Sequence, residues 1–311
     1  MLRREAAALR EQLEKMRNKE ARREERAQQA AQQQERPNVI FIFTDDHSAN
    51  AISAYNKNLT RTPNMDRMAE EGMVFDNCFA TNSISTPSRA TVLTGKYSHL
   101  NGVPVFNEFD GSQQTFPKLL QQAGYSTAMI GKWHLTSDPT GFDYWEIFPG
   151  QGLYYDPIMY TEEGGTRYKG GYATNLVADK TIEFIENAPK DKPFFVMSQH
   201  KAPHRPFQPR PDLREKYKGK TFPIPETFWD DYATREAALK GNKMAISNSF
   251  TNNDLKLTPP PGLPADSLAK WLATSPQVLV VDGDTLRGRA LIQYKYNRYM
   301  QDYLACVEAV D

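Results

Sequence analysis

Three short apolar runs in this chain empty directly into polar clusters, and no other feature restricts the fold as tightly. Asn38-Val39-Ile40-Phe41-Ile42-Phe43 leads into Thr44-Asp45-Asp46-His47, and Ser126-Thr127-Ala128-Met129-Ile130 leads into Gly131-Lys132-Trp133-His134. Pro193-Phe194-Phe195-Val196-Met197-Ser198 leads into Gln199-His200-Lys201-Ala202-Pro203-His204. Each run reads as a strand, and the first, rich in β-branched and aromatic residues, as one buried on both faces. Helical signals lie between them. Thr62-Pro63 opens a helix that closes at Gly72, Phe116 to Ala123 forms another stopped by Gly124, and Val177, Thr181, Phe184 and Ile185 mark an amphipathic third. This alternation predicts an α/β fold, a largely parallel sheet flanked by helices. In open sheets of that kind the ligand crevice lies beyond the carboxyl ends of the strands, so the three polar clusters are expected to converge.

A fourth stretch, Ser85-Thr86-Pro87-Ser88-Arg89 followed by Ala90 to Gly95, places a hydroxyl at a helix entrance. Pro87 suits a first helical turn and Gly95 suits its end, so Ser85 stands among unpaired backbone N–H groups, an environment that favours anions. Taken alone, the same residues describe an ordinary Ser/Thr/Pro turn. Asp45 and Asp46 are oxygen ligands suited to Ca²⁺ or Mg²⁺ if the backbone turns between them, although an isolated Asp-Asp pair more often caps a helix. Lys132 and His134, two residues apart, are expected on one side of an extended segment, pairing a cation with a proton carrier. His200 reads equally well as a packed residue.

Read together, Ser85-x-Pro87-Ser88-Arg89 with Leu93-Thr94-Gly95, Gly131-Lys132-Trp133-His134 and Ala202-Pro203-His204-Arg205-Pro206-Phe207 resemble the signature motifs of the sulfatase family. The resemblance implies an alkaline-phosphatase-like fold and oxidation of Ser85 to formylglycine. It implies a calcium ion, or Mg²⁺, held by Asp45, Asp46 and the residue at position 85. Hydrated formylglycine would attack sulfur, and His134 would act as the base that lets the remaining hydroxyl expel sulfate. Arg89 would bridge the diol and metal region, Lys132 would neutralise the sulfate, and His204 would protonate the leaving oxygen. A serine at position 85 is similar to the variant matured by a radical S-adenosylmethionine enzyme. Gly111 to Tyr125, Gly141-Phe142-Asp143-Tyr144-Trp145 and Tyr299 to Ala305 resemble bacterial N-acetylglucosamine-6-sulfatases, which implies a sulfated glycan, 6-O-sulfated N-acetylglucosamine, as substrate. The alternatives are a phosphonate or phosphate ester hydrolase of the same superfamily and a non-catalytic glycan-binding relative.

The resemblance covers residues 36–311, and sulfatases similar to this chain are longer, with a second metal pair and a lysine in the part that follows. Tyr299, Tyr303, Val307 and Val310 have helical spacing up to the last residue, so the expectation is a fold truncated before its C-terminal part and inactive as it stands. Residues 1–35 are charged, lack Gly and Pro, and place Leu2, Ala6, Leu9, Leu13 and Met16 on a fading heptad seam, a solvated helix or weak coiled coil. No apolar core follows Arg3-Arg4, so this segment is not a secretory signal, whereas the resemblance implies a periplasmic or extracellular protein.

Lys plus Arg number 38 against 38 Asp plus Glu, which argues against a nucleic-acid surface, and no apolar run is long enough to span a membrane. Cys78 and Cys306 are expected as two buried free thiols. Tyr154, Tyr155 and Trp145 are expected to pack, with stacking on a sugar the other use of such rings. Between Phe207 and Leu291 prolines break the periodicity, predicting a long excursion with short helices near Asp230 to Ala238 and Ala265 to Ala273.

Overall fold

The computed structural model describes residues 13–26 and 36–311. Residues 13–26 are helical and exposed along their length. Leu2, Ala6 and Leu9 of the heptad seam lie outside the described residues, and Leu13 and Met16 are exposed.

The main sheet has six strands in the order β1-β6-β2-β3-β4-β5. They are β1 (Val39–Asp45), β2 (Ser126–Lys132), β3 (Tyr144–Phe148), β4 (Ile158–Thr161), β5 (Gly164–Arg167) and β6 (Phe194–Pro203). β1, β6, β2 and β3 run parallel, whereas β4 and β5 add an antiparallel edge that no sequence signal marked. The helices that flank and follow the sheet are α1 (Pro63–Glu71), α2 (Ser85–Thr94), α3 (Phe116–Gln122), α4 (Ala173–Asn187), α5 (Pro211–Tyr217), α6 (Ala265–Ala273) and α7 (Gly288–Val310).

Alternation along the central strands builds two cores. Met129, Phe195 and Met197 face Ala90 and Leu93 of α2 and Phe116 and Leu120 of α3. Ala128, Ile130, Phe194 and Val196 face Ala173 and Val177 of α4 on the other side. Fully burying such a side chain contributes about 1.5–3 kcal/mol, so the doubly covered β2 and β6 are the most firmly held strands. A third cluster joins α7 to α5 through Leu213, Tyr217, Tyr303, Leu304 and Val307.

β1 departs from expectation. Val39 and Phe41 pack toward α2 and α3, but Ile40 and Ile42 are 49% and 53% exposed, so the strand is covered on one face only. Its composition reports apolarity, whereas burial depends on what lies opposite, and β1 is an edge strand of this sheet.

The helix predicted near Asp230 is also displaced. A 3-10 turn at Glu226–Trp229 and a helical turn at Ala237–Lys240 bracket that segment, while α6 spans the predicted Ala265–Ala273. A small hairpin, β7 (Leu279–Val281) with β8 (Asp284–Leu286), was not foreseen. Cys306 is buried, but Cys78 is exposed, against the expectation of two buried thiols. Tyr154 and Trp145 are buried as expected, Tyr154 stacking on Tyr172 with ring centroids 6.0 Å apart.

Candidate active site

Because β1, β6 and β2 are parallel, their carboxyl ends lie side by side. The β1/β6 register is irregular there. Phe43 pairs with Gln199 and Asp45 with Pro203, so β1 advances two residues while β6 advances four. The extra residues, His200 to Ala202, bulge beside the crevice, where bulges re-aim side chains.

Asp45 is the centre of the cluster and is 5% exposed. Its Oδ1 accepts a hydrogen bond from Ser85 Oγ at 3.0 Å. Its Oδ2 accepts from Lys132 Nζ and lies 3.6 Å from the Arg89 guanidinium. Ser85 is the first residue of α2, whose N-cap position is Ile84, with Pro87 in the first turn and Gly95 closing the helix at φ 66°. Arg89, one turn further along, donates to the carbonyl of Lys132 and to Gln199 Oε1, and sits 5.3 Å from the centre of the Phe43 ring. Ser85, Arg89, Lys132 and Asp45 thus meet from α2, β2 and β1.

Burial changes the acid–base behaviour of these cations. Desolvation pulls Arg89 down to about 9, with the negative Asp46 opposing. Desolvation and the neighbouring Lys201 pull Lys132 down to about 7.

Asp46 makes a different set of contacts from Asp45. Its φ is 58°, a left-handed conformation that Asp tolerates better than most residues, and its side chain is 59% exposed. The Asp46 carboxylate lies 3.6 Å from His204 Nε2, and the His204 Nδ1–H donates to the carbonyl of Arg205 at 2.7 Å. Burial lowers the pKa of His204, reinforced by Lys132 and opposed by Asp46.

The extended backbone that the Lys132 and His134 spacing presupposes stops short of His134. β2 ends at Lys132, and His134 lies past it with φ 56°. The Thr86 hydroxyl donates to the His134 carbonyl at 3.1 Å, so its 3.4 Å contact with Nδ1 is served by an imidazole Nδ1–H, leaving Nε2 as an acceptor. Burial, then the charges of Lys132 and Arg89, push His134 down to about 4.

Several positioning residues escaped the sequence reading. The Gln151 side chain accepts from Lys132 Nζ at 2.6 Å while its backbone carbonyl accepts from Lys201 Nζ at 3.1 Å, so one loop residue holds two buried lysines. Lys201 also faces the Tyr154 ring at 5.2 Å, and burial brings it to about 8. His200 is buried and pushed to about 4 by desolvation, consistent with a packed residue. Tyr303 of α7 reaches the turn after β1 and donates to the carbonyl of Asp46 at 2.9 Å. No local sequence signal marks such partners, since each contact spans a large separation along the chain.

The donors facing the crevice, Asp45, Asp46 and the Ser85 hydroxyl, are all oxygen, which fits a hard cation such as Ca²⁺ or Mg²⁺. Among the described residues no group of three or more His, Cys, Asp or Glu is placed to hold a metal, so the carboxylate set here is a pair. Two cavities open beside the cluster, one of 720 Å³ walled in part by His134 and Tyr160, and one of 650 Å³ walled in part by Asp46 and Arg205.

Comparison with known proteins identifies the fold. An N-acetylglucosamine-6-O-sulfatase of Bacteroides thetaiotaomicron is 48% identical over 298 residues, 89% of this chain and 53% of the relative. Human N-acetylgalactosamine-6-sulfatase is 31% identical over 223 residues, 59% of this chain and 43% of the relative. The solved structure of BT4656 in complex with its substrate D-glucosamine-2-N,6-O-disulfate superposes with a TM-score of 0.80 at 47% identity, covering 89% of this chain and 60% of that one. A putative sulfatase from Bacteroides fragilis shares the fold at a TM-score of 0.57 and 20% identity, over 88% of this chain and 56% of that one. The chain spans about half the length of the curated relatives it matches. A family model described as Sulfatase matches residues 37–311, and with the alkaline-phosphatase-like sheet this establishes that the chain belongs to the sulfatase family.

Proposed function

We propose that this cluster hydrolyses a sulfate ester on a glycan, 6-O-sulfated N-acetylglucosamine, after a radical S-adenosylmethionine enzyme has oxidised Ser85 to formylglycine. The observation that carries the reading is the 3.0 Å contact between Ser85 and Asp45 at a point where Arg89 and Lys132 also converge. The relative of known name and the substrate in the BT4656 complex point to the same sugar class.

Asp45, Asp46 and the oxygen at position 85 would hold a calcium or magnesium ion, which supplies positive charge against the ester oxygens. Formylglycine would supply an aldehyde hydrate, whose second, geminal hydroxyl an unmodified serine lacks. The chain's own residues do the rest. Arg89, and Lys132 when protonated, are buried and place positive charge where the sulfuryl oxygens gather charge, and a water-poor site strengthens that effect. His204 would act as the imidazolium, which the Asp46 carboxylate 3.6 Å from Nε2 favours: it gives the leaving alkoxide the Nε2 proton and keeps its Nδ1–H on the carbonyl of Arg205. His134, held neutral near pH 7 by burial and nearby cations, accepts a proton at Nε2 in the step that releases sulfate. With the carboxylates present as a pair, full ligation and turnover call for further oxygen donors than the described residues bring together.

The test uses the polypeptide carrying this chain, made in its native host. The peptide containing Ser85 should be lighter by two hydrogens, and the protein should release sulfate from N-acetylglucosamine 6-sulfate. An unmodified Ser85 together with no sulfate release sinks the reading, and preferential turnover of a phosphonate ester replaces it with the phosphonate hydrolase alternative.

A further inference from the structure

His204 gives its Nδ1–H to the carbonyl of Arg205, so whatever fixes the peptide between Arg205 and Pro206 also orients the imidazole. That peptide lies in a turn anchored at several points. The turn closes where the Phe207 N–H donates to the carbonyl of His204 at 3.4 Å, and the Tyr154 hydroxyl donates to the same oxygen at 2.6 Å. The Arg205 side chain is bound by Asp254, with Nε 3.2 Å from Oδ1. On the other flank the Lys256 ammonium donates to the carbonyl of Pro206 at 2.5 Å and to that of Asp254 at 2.9 Å. One ammonium thus grips both the turn and the residue that holds Arg205.

Lys256 is itself held from α7. Its Nζ lies 3.0 Å from Asp302 Oδ2, and Oδ1 of the same carboxylate lies 3.0 Å from the Arg298 guanidinium, one helical turn back. Asp302 is 2% exposed, and a carboxylate so deeply buried is retained only beside cations. The next residue along α7 is Tyr303, whose hydroxyl donates to the carbonyl of Asp46. Consecutive residues of one helix therefore reach the two sides of the 3.6 Å contact between Asp46 and His204, Tyr303 directly and Asp302 through Lys256 and Pro206. Leu304 to Val307, which follow, are fully buried, so the frame is a rigid one.

Resting on the sulfatase reading, we propose that Lys256 and Asp302 are positioning residues for His204, holding the peptide after Arg205 so that the imidazole Nε2 faces the leaving oxygen. Neither touches the substrate. Both decide where the proton donor stands, and a displacement of about 1 Å there costs about a hundredfold in rate.

Two readouts test this in the polypeptide carrying this chain. One is the His204 Nδ1–H resonance in protein made with isotope-labelled histidine, assigned by its loss in His204→Gln. The other is steady-state hydrolysis of N-acetylglucosamine 6-sulfate. Lys256→Met should shift or erase the resonance and lower kcat about ten- to a hundredfold, with KM within about twofold of the wild type. Asp302→Asn should do the same and also lower the melting temperature, because it leaves a buried ammonium without its counter-ion. When Lys256→Met and Asp302→Asn are combined the two charges leave together, so the melting temperature should recover while kcat and the resonance do not. A purely structural pair predicts the reverse, and kcat returning with stability overturns the proposal. So does a wild-type resonance or a wild-type kcat in Lys256→Met, or the lack of an Nδ1–H signal in the unaltered protein. An unaltered protein that shows the resonance but releases no sulfate removes the sulfatase reading instead, and the resonance in Lys256→Met then decides the positioning role by itself.

Discussion

The hydroxyl of Tyr303, on α7, donates to the carbonyl of Asp46 at 2.9 Å and accepts from the Ser48 N–H at 2.8 Å, tying the C-terminal helix to the turn that carries the candidate metal ligands. Asp46 holds a left-handed backbone at φ 58°, and the clasp from Tyr303 is what fixes the chain on both sides of it. Tyr303→Phe keeps the ring in the α7 core but removes both bonds. It should cost about 1–3 kcal/mol in urea unfolding and weaken calcium binding, whereas an unchanged calcium affinity rejects the link between the clasp and Asp46.

Gly131 is the most constrained position in β2. Its φ is 102°, and a Cβ there would stand 2.0 Å from the carbonyl oxygen of Gln199 on β6. The obstacle is backbone in the best-covered pair of strands, so it cannot swing aside. Gly131→Ala should destabilise the fold by about 3 kcal/mol or more, read as a lower denaturation midpoint or loss of soluble protein. A wild-type midpoint contradicts the close approach of β2 to β6.

Gln151 separates stability from anion binding. Gln151→Leu leaves the buried Lys132 ammonium short of an acceptor, which should cost about 1–2 kcal/mol and weaken inorganic sulfate binding about tenfold. Gln151→Glu restores the acceptor and should recover stability, yet its charge opposes sulfate and should depress affinity further. Were both variants to bind sulfate like the wild type, the loop would have no part in presenting the lysines.

His200 predicts a pH dependence with a defined sign. It is buried, and its folded pKa of about 4 lies below the unfolded value near 6.5. The unfolded chain therefore binds more protons between those values, so stability is full above pH 6.5 and falls as pH drops toward 4. From pH 7 to 5.5 this residue should account for a loss of about 1 kcal/mol, which His200→Leu should remove in melts at the two pH values. A variant with the wild-type slope would shift the effect to His134 or His204.

Local chemistry made much of the fold legible. Pro63 and Gly72 bound α1, Gly95 ends α2, and Ala265–Ala273 forms the helix its pattern predicted, because caps and periodicity act within a few residues. The antiparallel β4 and β5 escaped because Gly164 and Gly165 carry no strand propensity, and the exposure of Ile40 and Ile42 escaped because apolarity does not say what lies opposite. Even the N-terminus of α1 is held from afar, the Asp311 carboxylate accepting from the N–H groups of Asn64 and Met65.

The candidate site divides along the same line. By itself the sequence determined which residues stand at or within about a turn of strand and helix ends, namely Asp45, Asp46, Ser85, Arg89, Lys132, His134 and His204, since each follows a short-range signal. Only the tertiary structure decided that Asp45 is shared by Ser85, Arg89 and Lys132, that Asp46 faces His204 instead, and that Gln151 and Tyr303 brace them. The physical reason is distance along the chain. Such contacts form only once the parallel strands are in register and the bulge at His200 to Ala202 has set the crevice, and no local propensity encodes either event.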